Sequence, residues 1–404
     1  MHSHATMAGT AMPAASPRAL RRAITFGLIG FLTLVDLFAA QAILPALAKK
    51  YGVLPGEIGL AANAGTIGMA IAGLAAGAAA RTVERKIGIW LSLAILAIPT
   101  VLLASAPDLD TFAALRIAQG LCMATAFTLT LAYLGERCNA IDAAGALAAF
   151  VTGIVASNLV GRLSAATVLS YSSVEITFYF FAMLNLLGAL LTYRVLCKTH
   201  AMHEVDAMTP SIVKVWWTHF ANPALQRSFA IGFLILFAFI GIFTYVNFVL
   251  TAPPINLPQG YLGLVYLVFL PAMFSTPYAG KYAVRWGAGE TMAVTLALSV
   301  VGVALAALSN LWAILTGLAI IAVGTFFAQA AATGYVSRAA TGERGVAGGL
   351  YLTCYYCGGL SGAAAIGWLF DRFGWNAALI GNGLALALAA LIAWSLRQRT
   401  YNGV

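Results

Sequence analysis

Charge is what this sequence has least of. Of its 404 residues, 13 are acidic and 22 are lysine or arginine, together 9%, whereas about a quarter of the residues in soluble domains are charged. That excludes a soluble domain of any size. Cysteine is scarce too, and the five scattered along the chain make no disulfide framework. Cys354 and Cys357 have redox spacing, but they sit inside an apolar run with no soluble redox fold around them. None of the five histidines lies in a long apolar run; His2, His4, His200 and His203 belong to polar segments. No His cluster, Ser-His pair or metal constellation therefore forms at membrane depth, so neither an enzyme nor a cofactor is expected. A cleaved signal is not expected either, because Arg18, Arg21 and Arg22 lead straight into an apolar stretch far longer than a signal core of roughly 7–15 residues.

Hydrophobic residues, at 61%, make up most of the rest. Twelve stretches, each about the 20 residues needed to cross a bilayer, are expected near 24–46, 56–80, 88–106, 111–134, 143–167, 176–197, 228–251, 260–282, 290–308, 311–336, 345–369 and 376–396. The expected fold is an all-α membrane protein. Its parts are a cytoplasmic tail (1–23), a six-helix half (24–197), a cytoplasmic linker (198–227), a second six-helix half (228–396) and a short cytoplasmic tail (397–404). Within the linker, Trp216, Trp217 and Phe220 at helical spacing beside Lys214 and His219 suggest a short helix lying on the membrane surface.

The net charge of +9 does not point to nucleic acid, because the distribution of the charges accounts for it. With both termini in the cytoplasm, the clusters at Arg18–Arg22, Arg81–Lys86, Arg137, Arg194–Lys198, Lys214–Arg227, Lys281–Arg285, Arg338–Arg344 and Arg397–Arg399 all fall inside. Only Lys49, Lys50 and Arg372 fall outside. This positive-inside asymmetry supports an even number of spans with both termini in the cytoplasm; a multi-pass monomer of the bacterial inner membrane is the expectation.

The two halves repeat at an offset of about 200 residues. Phe150 to Gly161 aligns with Tyr351 to Gly362, sharing Thr, Leu and Gly, and the loop from Gly77 to Lys86 has a counterpart from Gly280 to Gly287. Parallel repeats of this kind place a substrate site between the halves at mid-depth.

Several short runs carry a family resemblance. Arg116-Ile-Ala-Gln-Gly120, Gly280-Lys-Tyr-Ala-Val-Arg285-Trp-Gly287 and Gly367-Trp-Leu-Phe-Asp371-Arg372-Phe-Gly374 resemble the RxxQG and GxxxDRxG elements of the major facilitator superfamily. Gln41 to Pro45, Asn222-Pro223 and Tyr355-Tyr356-Cys-Gly-Gly look like its bacterial proton-coupled drug and metabolite (sugar-efflux-type) branch. The resemblance implies alternating access, with Gly77, Arg81, Arg85, Lys86, Gly280, Arg285 and Gly287 as a loop motif that latches the cytoplasmic side. Arg81 stands where the motif carries Asp, Glu84 where it carries Gly, and Val284 where the second copy carries Asp, so this latch is expected to be weaker or built differently. The antiporter element of span five survives only as Gly153, Gly161 and their spacing, with Ser157, Asn158 and Arg162 as replacements.

Charge at mid-span carries the mechanism. Asp36 is the one acid near the middle of a span, and such residues face a cavity and mark ion pathways. Arg116 and Gln119 share one helical face, as do Asn158 and Arg162. Either arginine is available to neutralise Asp36 or to hold an anionic group of a substrate through its planar fork. Asp36 and Arg116 are the proton-coupling candidates. Gln41, Arg116, Gln119, Asn158 and Arg162, with Tyr245, Asn247, Tyr261, Tyr266, Gln329, Tyr355 and Tyr356 from the second half, are the substrate candidates. A cavity charged on one side and aromatic on the other suits amphiphilic organics. The expected function is proton-driven export of a small organic compound, such as a drug, sugar, siderophore or metabolite. A proton-coupled importer or facilitator, and a membrane sensor without turnover, are the alternatives.

Overall fold

The computed structural model describes residues 17–79, 83–137, 140–197, 212–258, 261–340 and 343–396. Among them every regular element is helical, the outcome expected where no water is available to satisfy main-chain polar groups. The first six crossings are α1 (Pro17–Ala42), α2 (Pro55–Asn63 and Gly65–Ala79, joined at Ala64), α3 (Arg85–Ala104), α4 (Leu109–Arg137), α5 (Ala140–Tyr171) and α6 (Val174–Val195). A short helix, Ile212–Phe220, precedes α7 (Pro223–Thr251), α8 (Leu262–Arg285), α9 (Ala288–Ala306) and α10 (Leu311–Ala339). In α8, Pro271 and Pro277 lack the donor that a regular helix needs, and the chain winds through alternating α and 3-10 turns.

The last apolar helix, Gly345–Ser395, is too long for one crossing. Gly374, at φ 77° and ψ −170°, breaks it into α11 (344–373) and α12 (375–395). A positive φ suits a residue without a β-carbon, and this glycine ends the motif-like run Gly367–Gly374 read from the sequence. Among the described residues, the eleven apolar helices thus make twelve crossings. The tail before residue 17, the linker over 198–211 and the tail from 397 lie outside the described residues.

Helix pairing repeats with the sequence. α1 packs mainly on α5 and α3 packs on α6; correspondingly, α7 packs mainly on the length 344–395 that α11 and α12 share, and α9 packs on it too. The close approaches repeat too. A β-carbon on Gly161 would meet the Val35 carbonyl of α1, and one on its counterpart Gly362 would meet the Phe237 carbonyl of α7. Stripes of exposed apolar residues, such as Leu91, Ile95, Ile98 and Leu102 on α3 and Met183, Leu186, Leu187 and Leu190 on α6, face outward. Lipid covers such a stripe at no cost in hydration.

Candidate functional site

α1 serves two polar clusters from different faces. Asp36 points among α3, α4 and α6, whereas Phe38 and Gln41 point to the seam with α7 and α8.

In the first cluster, Asp36 is 4% exposed. All its donors converge on Oδ2: Asn185 Nδ2 at 2.8 Å, Thr100 Oγ1 at 3.1 Å and Gln119 Nε2 at 3.4 Å. The Thr100 hydroxyl also lies 2.7 Å from the Leu96 carbonyl, and its single proton serves one acceptor at a time. Oδ1 has no partner. A cavity of about 10 Å³, lined by Asp36, Thr100, Arg116, Gln119 and the apolar Ile43 and Phe181, is the size of about one water.

Arg116 is buried beside this carboxylate without pairing with it. Nε donates to the Ala62 carbonyl at 2.8 Å, Nη1 to the Asp36 carbonyl at 3.3 Å and to Gln119 Oε1 at 2.6 Å, and Nη2 to the Leu37 carbonyl at 2.9 Å. It ties α1, α2 and α4 together and orients the Gln119 amide toward Asp36. Of the two arginines available to neutralise Asp36, neither comes within the 4.0 Å of an ion pair, although Arg116 lies close enough for its charge to act on the carboxylate. Arg116 is drawn to main-chain carbonyls instead, and Arg162 faces the seam.

The second cluster lies on that seam. Arg162 is fully buried; Nη1 donates to the Asn158 carbonyl at 3.1 Å and Oδ1 at 3.2 Å, and Nη2 to Gln41 Oε1 at 2.6 Å. Five rings surround the guanidinium: Phe38 at 4.7 Å, Phe269 at 4.8 Å, Tyr266 at 5.1 Å, Phe239 at 5.8 Å and Phe243 at 5.9 Å. Gln41 Nε2 donates to Asn63 Oδ1 at 2.9 Å and lies 3.4 Å from Thr244 Oγ1. Asn247 Nδ2 donates to the Gln41 carbonyl at 2.7 Å and the Tyr266 hydroxyl at 2.6 Å. Gln41, Asn158, Arg162, Asn247 and Tyr266 are thus brought together.

The remaining candidates are elsewhere. Tyr245 donates to the Ala363 carbonyl at 2.6 Å and stacks on Phe370, bracing α7 against α11 away from the cluster. Gln329 accepts from the Tyr351 hydroxyl at 2.6 Å, and Tyr355 packs beside Tyr351 and Tyr356, forming a separate aromatic group in the last six helices. Tyr261 stands exposed before α8. Thr100, Asn185, Asn63 and Thr244 were missed by the sequence reading. Asn185, a lone amide in an otherwise apolar span, was the available signal.

The loop-motif residues have mixed fates. Arg85 is buried and donates to the Val83 carbonyl at 2.8 Å; Lys86 lies over the Tyr193 ring. Glu84 caps α3, accepting from Lys86 N at 3.2 Å and Ile87 N at 2.9 Å, which is a use for an acid where the motif has glycine. Gly77 lies in α2, Arg81 lies outside the described residues, Gly280 is in open space, Arg285 is exposed, and Gly287 (φ 92°) precedes α9. Near that end the Thr353 hydroxyl lies 3.2 Å from the Ala70 carbonyl and 3.0 Å from the Gly349 carbonyl of its own helix. At the opposite end, Asp371 of the Gly367–Gly374 run accepts the Gly56 N–H on both oxygens, at 3.0 and 3.1 Å, and so joins α11 to the start of α2.

The fold has counterparts among known proteins. The inner membrane transport protein YnfM of Escherichia coli (strain K12) is 24% identical over 386 residues, covering 96% of this chain and 93% of that protein. An uncharacterized transporter of Buchnera aphidicola subsp. Schizaphis graminum (strain Sg) is 25% identical over 329 residues, covering 81% of this chain and 80% of its own length. The crystal structure of a bacterial homolog to the human lysosomal transporter Spinster, inward-facing and unoccupied, superposes with a TM-score of 0.75 at 12% identity, over 95% of this chain and 98% of that one. The family model described as Major Facilitator Superfamily matches residues 26–275 and 254–403, and with twelve crossings repeated in two sets of six the chain belongs to that superfamily of membrane transporters.

Proposed function

We propose that this transporter is a proton-coupled exporter of a small organic compound, working as a monomer in the bacterial inner membrane with both termini in the cytoplasm. Asp36 carries the proposal. A carboxylate at mid-membrane is costly, and here, among the described residues, it has no cation within 4.0 Å, and it has one bare oxygen and a water-sized cavity beside it. Such a group gains and loses a proton as access alternates, because only one of its two charge states suits each surrounding. Arg116 is a positioning residue that holds Gln119 and the α1 main chain around it.

α1 to α6 and α7 to α12 are the two moving halves. Four of the hydrogen-bonded links described between them, Asp371 to Gly56, Asn247 to Gln41, Asn63 to Thr244 and Gln41 to Thr244, lie toward the end that carries Lys50. By the positive-inside rule that end is the outer one, which supports a state sealed outside. Gln41, Asn158, Arg162, Asn247 and Tyr266 form the substrate site.

The test is a compound screen in a strain lacking its own major efflux systems. Expression should lower accumulation of at least one small organic compound, and an uncoupler should restore it. Export unaffected by the uncoupler, or expression that raises accumulation, contradicts the proposal.

A further inference from the structure

The guanidinium of Arg162 is completely buried, yet no carboxylate lies within 4.0 Å of it among the described residues. A guanidinium carries five N–H groups. Here three acceptors serve them, all neutral and all on Asn158 or Gln41, while Nε has no partner. The surrounding rings attract the cation through their faces, but they do not fill the planar fork. A buried cation without a counter-charge is strongly unfavourable, and a planar oxyanion relieves that cost by meeting two N–H groups at once.

We infer that the compound carried is a small organic monoanion, a carboxylate with an apolar body, whose carboxylate is received by Arg162 while the body lies against Phe38, Phe243 and Phe269. The inference rests on the transport proposal above and names the substrate class of that same site. One charge is favoured over two because, among the described residues, Arg162 is the cation that faces this site: Arg116, the other buried arginine nearby, is committed to three main-chain carbonyls and Gln119. Apolar rings suit a hydrocarbon or aryl body and offer little to a sugar.

Gln41 then has a defined part. Its Oε1, 2.6 Å from Nη2, occupies the place of one carboxylate oxygen, as an internal neutral ligand. The same residue meets Asn63 and Thr244 through its side chain and Asn247 through its carbonyl. An entering carboxylate displaces Gln41 from Arg162 and so disturbs the residue that joins α1, α2 and α7 across the seam. Substrate binding is thereby linked to opening of the outer end.

The test measures the unfolding midpoint of the purified full chain in detergent with benzoate, its neutral analogue benzamide and its cationic analogue benzylamine. Benzoate should raise the midpoint with a saturable dose dependence, and the other two should not. Arg162→Met should abolish the benzoate effect, and Arg162→Lys should weaken apparent affinity at least about tenfold because the fork is lost. Gln41→Ala removes the internal competitor and should tighten benzoate binding by roughly 3- to 10-fold, a gain that a purely structural Gln41 would not give. Should Arg162→Met fail to fold, the wild-type probe series and Gln41→Ala still decide. Equal stabilisation by benzamide or benzylamine, no stabilisation by benzoate, or unchanged or weaker benzoate binding in Gln41→Ala overturns the inference. Because binding is read without transport, those results leave the exporter proposal standing, whereas failure of uncoupler-sensitive export leaves the anion site standing.

Discussion

Asp371→Ala is expected to shift the transporter toward a state open at the Lys50 end. The Asp371 carboxylate takes the Gly56 N–H with both oxygens, at 3.0 and 3.1 Å, in the first turn of α2, where main-chain amides lack helical partners. An acidic acceptor in that position contributes about 0.5–2 kcal/mol. The contact joins α11 to α2, so it exists only while the outer ends meet, and its whole value appears in the equilibrium between the two states. At about 1.4 kcal/mol per tenfold, the open population should rise roughly 2- to 30-fold. Spin labels at Tyr171 and Ser309, both exposed at that end, report the change as a longer-distance component in a cysteine-free background. Asp110→Ala is the control, since Asp110 is exposed at the same end in the first turn of α4. An unchanged distance distribution in Asp371→Ala, or an equal change in Asp110→Ala, would refute the latch.

Other expectations follow from the packing. Gly161→Val places a β-carbon against the Val35 carbonyl and should cost about 1–3 kcal/mol, read as a lower unfolding midpoint in detergent; Gly280→Val, which meets open space, should cost much less. Arg116→Lys loses at least one of the three main-chain carbonyl bonds or the Gln119 bond and should destabilise by about 2 kcal/mol or more, measured in the same way. Topology is checked by reporters: one fused after Val215 should be cytoplasmic and one near Pro254 external, and finding both on one side contradicts the orientation.

The sequence yielded depth along each helix far better than direction around it. Asp36 was legible as the buried acid because hydropathy alone puts it at mid-span, but its partners were not. Thr100 and Asn185 reach it from α3 and α6, and one sequence does not fix how those helices are rotated. The same limit explains Tyr245, whose type suggested a ligand contact and whose position made it a brace for α11. The Arg162 cage draws its rings from α1, α7 and α8, so no local pattern could announce it. Repetition was legible because it is a property of spacing: Gly161 and Gly362, aligned in the sequence, make the same close approach in each set of six helices. The motif-like run Gly367–Gly374 was legible too, and its Asp371 joins α11 to α2 at the end where the charge distribution had placed Arg372.

The central claim, that one mid-span carboxylate couples proton movement to export, is tested most directly by Asp36→Asn in everted membrane vesicles, with a compound identified by the export screen. The asparagine keeps the size and hydrogen-bonding capacity of the protonated acid and removes its titration. Under an imposed pH gradient, wild-type vesicles should concentrate the compound. Asp36→Asn vesicles should not, although they should still exchange labelled for unlabelled compound at equilibrium. Concentration of the compound by Asp36→Asn in response to the gradient would contradict the account.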